Sequence, residues 1–360
     1  MDKNVSFFLG ANLKDGFVSY FDTFHNLDEG FFTYIIKGGP GTGKSGIMKK
    51  VAEHFENLGF KTILAPCSSD PDSLDGVMIP ALKVSILDGT APHIVDAVYP
   101  ACRDTIINVG AFWDEEKINK FDREVVSVTN QNKKLLRKAA RYISAASEMS
   151  NDTFKSSFAA VDTAKLSRFT TRFIARKLPE INNLRGKEYS ALLSAITPKG
   201  VINFNDSIDS LCDFVLSFED NYGSASRMFL ESVRASAIMN GYDVISLYCP
   251  LHPKTKLEHL IIPQAKIGIF TSMNHNPADF KNMQRVHSER FYNKKMLSDK
   301  KERINFNIKA SAELINEAVQ VLKEAKSVHD IMEEYYIDGM DFEKVDTLTK
   351  RIIREIELRM

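Results

Sequence analysis

Two kinds of apolar pattern follow one another along the chain. Phe31-Phe32-Thr33-Tyr34-Ile35-Ile36 is a short, almost unbroken aromatic and β-branched run, the pattern of a strand buried on both faces. Just beyond it Ile47, Met48, Val51, Ala52 and Phe55 recur at helical spacing, which predicts an amphipathic helix stopped by Gly59. A second buried run, Val84-Ser85-Ile86-Leu87, ends in Asp88. Farther along the stripes narrow: Leu135, Ala139, Tyr142, Ile143 and Ala146, then Leu166, Phe169 and Phe173. The second set is Leu314, Ala318, Leu322, Ala325 and Met332, then Val345, Leu348 and Ile352. Each pair of stripes predicts a helical hairpin, with turns near Asn151 and at Ile337-Asp338-Gly339.

Chemistry enters between the first strand and the first helix. Gly38, Gly43, Lys44 and Ser45 fit G-x-x-x-x-G-K-[ST], the P-loop signature, with a strand before it and a helix after it. In that setting glycines let backbone amides turn toward a phosphate, and the helix N-terminus adds a favourable dipole. Gly38, Gly39, Pro40, Gly41, Thr42, Gly43, Lys44, Ser45 and Gly46 are therefore candidate phosphate-binding positions. Lys44 is expected to reach the β- and γ-phosphates, with Ser45 and Asp88 as Mg²⁺ ligands. No Glu follows Asp88, so a water-activating carboxylate is missing there. That favours the kinase–GTPase branch of such folds, or a slow ATPase, over a fast motor.

The chain is also written twice. Gly59 pairs with Gly241, Cys67 with Cys249, Pro71 with Pro253, and Ile79-Pro80 with Ile262-Pro263 after a one-residue insertion. This register lays Ser217–Ser232 on the glycine loop, so that Gly38 becomes Asp220, Gly43 Ala225, Lys44 Ser226, Ser45 Arg227 and Asp88 Thr271. The second copy has lost the amine, the hydroxyl and the carboxylate. The expected fold is α/β: two tandem P-loop NTPase-like lobes with mainly parallel sheets, each with a helical hairpin. The segments are 1–113, 114–184, 185–278 and 279–360.

Other residues are candidates by type and place. Asp70, Asp72 and Asp75, with Ser68 and Ser69, follow the second predicted strand at the carboxyl edge of the sheet, where open α/β sheets bind ligands. In a phosphotransferase Asp70 or Asp75 would accept a proton from an attacking hydroxyl; otherwise these residues cap a turn or helix. His93 would sense the γ-phosphate or orient water, or is a hydrogen-bonded loop histidine. Arg227 or Arg234 is either an arginine finger or an ordinary exposed helix arginine.

With 360 residues, 44% hydrophobic, the chain can bury two cores. Its 47 basic and 47 acidic side chains balance, against a globally electrostatic nucleic-acid or membrane binder. The stretch Lys117–Lys177 is locally basic, a solvated helix face or a surface for nucleic acid or an acidic partner. No apolar run approaches the ~20 residues of a membrane span. Four cysteines without C-x-x-C spacing suggest reduced thiols in the cytoplasm, and the eight histidines show no metal-ligand spacing.

The motifs "GGPGTGKS" (38–45), "CSSDPDSLDGV" (67–77) and "LDGTAPHIVD" (87–96), with "GYDVISLYCPLHP" and "EHLIIP" later, resemble a bacterial family of tandem P-loop ATPases over essentially the whole chain. The resemblance implies a cytosolic protein that binds ATP or another nucleoside triphosphate with Mg²⁺ through Gly38–Ser45 and Asp88. Some members of that family resemble an intact loop in both halves; this chain departs at Asp220, Ala225, Ser226 and Arg227. Three readings stay open. They are an ATPase or ATP-dependent switch read out by the hairpins or a protein partner, a small-molecule or nucleotide kinase with residues 68–75 as acceptor site, and a non-catalytic ATP-binding scaffold.

Overall fold

The computed structural model describes residues 5–13, 16–272 and 280–360. The first half runs β1 (Val5–Ser6), β2 (Gly10–Leu13), β3 (Gly16–Ser19), β4 (Phe32–Lys37), α1 (Lys44–Asn57), β5 (Ile63–Pro66), β6 (Leu74–Ile79), β7 (Val84–Asp88) and β8 (Asp104–Asn108). Helices α2 (Glu115–Asn119), α3 (Asp122–Phe158) and α4 (Thr163–Lys177) complete it. The second half repeats the order with one short helix added. It runs β9 (Glu188–Ala191), β10 (Ser194–Thr197), β11 (Gly200–Asn203), α5 (Asn205–Leu211), β12 (Phe214–Glu219), α6 (Ser224–Met239), β13 (Val244–Tyr248), β14 (Leu257–Ile262), β15 (Ile267–Ser272) and β16 (Met283–His287). It ends in α7 (Lys294–Ser298), α8 (Lys301–Ile337) and α9 (Phe342–Glu357). Even local strain repeats: Lys83 and Lys266, each closing a short turn after Ile-Pro, have φ of 51° and 52°.

Two six-stranded sheets result, ordered β1-β5-β6-β7-β4-β8 and β16-β12-β15-β14-β13-β9. In the first, β4 is parallel to β7 and β8, and Ile36 lies opposite Asp88. Each sheet carries one reversed strand, β6 or β14. The expectation of a loop over Asp70–Asp75 is corrected here, because Asp75 lies inside β6. The cause is local. Cys67 N donates to Ser73 O (2.9 Å) and Ser73 N to Asp70 O (2.8 Å), closing a tight turn that sends the chain straight back beside β5.

The chain forms two compact units that cut across sequence order. One holds Ser6–Arg141, Ala195–Ile202 and Ala318–Met360; the other holds Tyr142–Ser194 and Asn203–Glu317. We call them the glycine-loop unit and the sister unit. In the glycine-loop unit, α1 and α9 cover one sheet face, with Val345, Leu348, Ile352 and Ile356 in one core with Ile47, Met48, Val51 and Phe55. Phe21, Phe24 and Phe31 pack with Met78 and Leu87 in a second cluster. In the sister unit it is α4 that packs on α6, with the Phe173 ring 5.4 Å from Phe229. Helix α4, encoded in the first half, thus joins the core of the second, and α9, encoded in the second, joins the core of the first.

The turn expected near Asn151 is absent. Helix α3 continues through it to Phe158, since Asp122–Phe158 contains no Gly or Pro and Asp152 is held in the helix by Arg303 and Asn307. The chain turns instead before Asp162, whose carboxylate caps α4 by accepting from Lys165 N at 2.9 Å. The turn at Ile337–Gly339 falls where the pattern put it. Among the described residues, no helix is long and apolar enough to cross a membrane.

Candidate functional site

The loop Gly38–Gly43 joins the buried end of β4 to the first turn of α1. Gly41 (φ 69°) and Gly43 (φ 84°) adopt left-handed backbone that other residues rarely tolerate. At Gly38 a side chain would lie 2.5 Å from Val109 Cγ2. Gly46, by contrast, faces open space and is not required sterically. Thr42 Oγ1 donates to Gly39 O at 2.8 Å and pins the loop on itself.

Lys44 folds back over this loop. Its ammonium donates to the carbonyls of Gly38 (2.8 Å) and Gly39 (2.7 Å) and stands 3.5 Å from the Asp88 carboxylate. Asp88 is fixed by Thr90, whose amide donates to Oδ1 (2.9 Å) while its hydroxyl donates to Gly38 O (3.0 Å). Ser45 Oγ accepts from Leu74 N at 2.9 Å, which ties the start of α1 to β6. The amine, hydroxyl and carboxylate named by the signature are therefore brought together.

Asp75 and His93 join them from the side. Both are buried. His93 stacks on Phe21 (4.6 Å, 11°), its Nδ1 lies 2.9 Å from Asp88 O, and its Nε2 lies 3.7 Å from Asp75 Oδ1. Burial pushes the Asp75 carboxyl up to about 6 against the opposing pull of His93, and the nearby Asp88 charge adds to the rise. Burial likewise pushes the thiol of Cys67, half-buried on the cavity lining, well up. Asp70 also borders this space, whereas Asp72 faces elsewhere. Asp70 accepts from Ser73 Oγ (2.8 Å), and the exposed Asp72 pairs with Lys199 at 2.6 Å, which lowers its pKa.

These residues line a cavity of about 750 Å³, within the range of small-molecule sites. Its outer wall comes from parts of the chain that sequence reading did not connect to it: Thr129, Asn132 and Lys133 on α3, and Lys326, His329 and Glu333 on α8. Glu333 Oε1 accepts from Gly41 N at 3.2 Å, and its hydrogen bond to His329 helps to hold its carboxyl low. Lys326 stands 3.6 Å from Asp70. One signal was available: positions 326, 329 and 333 share a helix face, so the polar side of α8 was as patterned as its apolar stripe.

The sister unit has filled the same position with its own side chain. There Gly223 (φ 77°) stands immediately before α6 as Gly43 (φ 84°) stands before α1, so the loop is two residues shorter, the sequence register that paired Gly43 with Ala225 is corrected at the helix start, and Gly41 has no left-handed counterpart. Asp220, fully buried, accepts from Tyr222 N (3.1 Å), Ser226 N (2.8 Å), Ser288 Oγ (3.1 Å) and the Tyr292 hydroxyl (3.0 Å). Tyr292 in turn accepts from Ala225 N at 2.9 Å, and burial near Asp220 raises its phenol strongly. Arg227 donates to Thr255 O and lies over the Phe154 ring, while Arg234 pairs with Glu188 and Glu231. Both arginines are thus engaged inside the sister unit.

Comparison with protein-family models, with curated proteins and with solved structures gave no match.

Proposed function

We propose that the glycine-loop unit is a single Mg²⁺–nucleoside triphosphate site of P-loop type, that its ligand is ATP, and that the protein acts as a slow ATPase or ATP-dependent switch. One observation carries this reading: Lys44, Ser45 and Asp88 converge on one cavity beneath a loop whose Gly41 and Gly43 are left-handed. The donor set suits the group. Loop amides and the Lys44 ammonium would hold phosphate oxygens, and Ser45 and Asp88 offer the hard oxygen ligands that Mg²⁺ takes. The bound cation would neutralise developing phosphate charge.

The direct pairing of β7 with β4 and the lack of a Glu after Asp88 support a kinase–GTPase-type arrangement and slow turnover. Asp75, titrating near 6, is a carboxyl suited to accept a proton close to neutral pH, and His93 orients beside it. The tandem P-loop ATPase resemblance agrees with this reading. The alternative, a kinase with residues 68–75 as acceptor site, draws on Ser68, Ser69, Asp70 and Asp75 along the same cavity, while Asp72 pairs with Lys199 instead.

The test is Mg²⁺–ATP binding and phosphate release by the full chain and by Lys44→Ala. Loss of the ammonium should weaken binding on the order of 100-fold, the value of charge-assisted hydrogen bonds to phosphate. Phosphate release without any acceptor supports the switch. Release only with a hydroxyl-bearing acceptor would mean a kinase, and tight binding without turnover a scaffold. Equal binding by both proteins would refute the site.

A further inference from the structure

We propose that Asp75, Asp88 and His93 form a binding centre for a divalent first-row transition cation, one that shares Asp88 with the Ser45–Asp88 pair assigned to Mg²⁺. One ligand atom from each of the three lies within 4.8 Å of the others. Metal–ligand bonds of about 2.0–2.2 Å span about 4.2 Å across a cation, so the three close on one ion with small rotations.

The tautomer of His93 is what points to a ligand. Its Nδ1 faces the main-chain carbonyl of Asp88 at 2.9 Å, and a carbonyl only accepts, so Nδ1 carries the proton. Nε2 is the nitrogen left to face Asp75 Oδ1, at 3.7 Å, beyond hydrogen-bond reach. Two ligand atoms that face one another at 3.7 Å stand at about the spacing of neighbouring ligands on one cation. A ring nitrogen that donates to a backbone carbonyl while its partner faces carboxylates is also the usual way a ligand histidine is held.

The surroundings meet the other requirements. Phe21 stacks flat on the imidazole, Thr90 N fixes the Asp88 carboxylate, and all three ligands open on the 750 Å³ cavity, which supplies an entry path. An imidazole nitrogen with two carboxylates favours Mn²⁺, Fe²⁺ or Zn²⁺ over Mg²⁺. The sister unit cannot do the same, since Thr271 stands for Asp88.

The centre does not depend on nucleotide binding, so the test uses nucleotide-free full chain and Mn²⁺ alone. Electron paramagnetic resonance should show one tightly held Mn²⁺ per chain with nitrogen coupling from the imidazole. His93→Gln should lose that coupling and bind on the order of tenfold or more weakly. Asp75→Asn should weaken Mn²⁺ in parallel and serves if His93→Gln fails to fold by circular dichroism. Absence of nitrogen coupling in the natural chain, or unchanged Mn²⁺ affinity in folded His93→Gln or Asp75→Asn, would overturn the proposal.

Discussion

The two loops of this chain have the same strand before them and the same helix after them, yet one is furnished from inside and the other is not. In the sister unit Asp220 supplies the anion that the helix N-terminus favours, and two backbone amides and two hydroxyls are satisfied by it. In the glycine-loop unit the corresponding position is Gly38, which brings no side chain, and Lys44 turns back onto carbonyls. The lesson is that a strand–loop–helix shell can be kept while a carboxylate of the chain itself satisfies the amides at the start of the helix.

The largest effect expected from disturbing this contrast is at Asp220. Asp220→Ala leaves the Tyr292 hydroxyl and the Ser226 and Tyr222 amides without their buried acceptor. It should cost about 3–5 kcal/mol in denaturant unfolding. A loss below about 1 kcal/mol would mean that Asp220 is incidental.

Acid should also separate the units. In the sister unit His259 is buried, stacks on Phe270 at 4.2 Å and accepts from Thr271 N through Nδ1. Burial lowers it to about 4 from 6.5, and burial lowers His252 to about 4 as well. The unfolded chain therefore takes up these protons before the folded one does. Stability present above pH 6.5 should fall as the pH drops toward 4, by about 3 kcal/mol for His259 alone. His259→Gln should flatten the pH dependence of unfolding over that window; an unchanged slope would contradict the assignment.

A smaller effect is expected at Glu333. Its carboxylate sits on the Gly41 amide, one of the donors a phosphate would use. Glu333→Gln removes the competing charge and should tighten Mg²⁺–ATP binding severalfold, roughly 1 kcal/mol, by fluorescence titration. Weaker binding would instead make Glu333 part of the ligand's own support.

Local pattern and local chemistry were readable in advance. The strand before Gly38, the helix through Phe55, the strand ending at Asp88 and the repeat itself follow from apolar spacing and from glycines and prolines in register. What escaped was non-local or mixed in signal. Leu74-Asp75-Gly76-Val77 carries turn residues inside a strand, because the short closure from Cys67 to Ser73 overrides their propensity. The break placed at Asn151 ignored that this stretch lacks Gly and Pro. The cavity wall from α3 and α8 comes from residues far apart in the chain, and the Asp75–His93 approach depends on two strands and a stacked Phe21. No sequence spacing encodes those meetings.

The most direct measurement is the stoichiometry of Mg²⁺–ATP binding by calorimetric titration of the intact chain. One nucleotide per chain is predicted, bound with the same affinity by Ser226→Ala, the residue that the sequence register sets opposite Lys44. Two nucleotides per chain, none, or a loss of binding in Ser226→Ala would contradict the account.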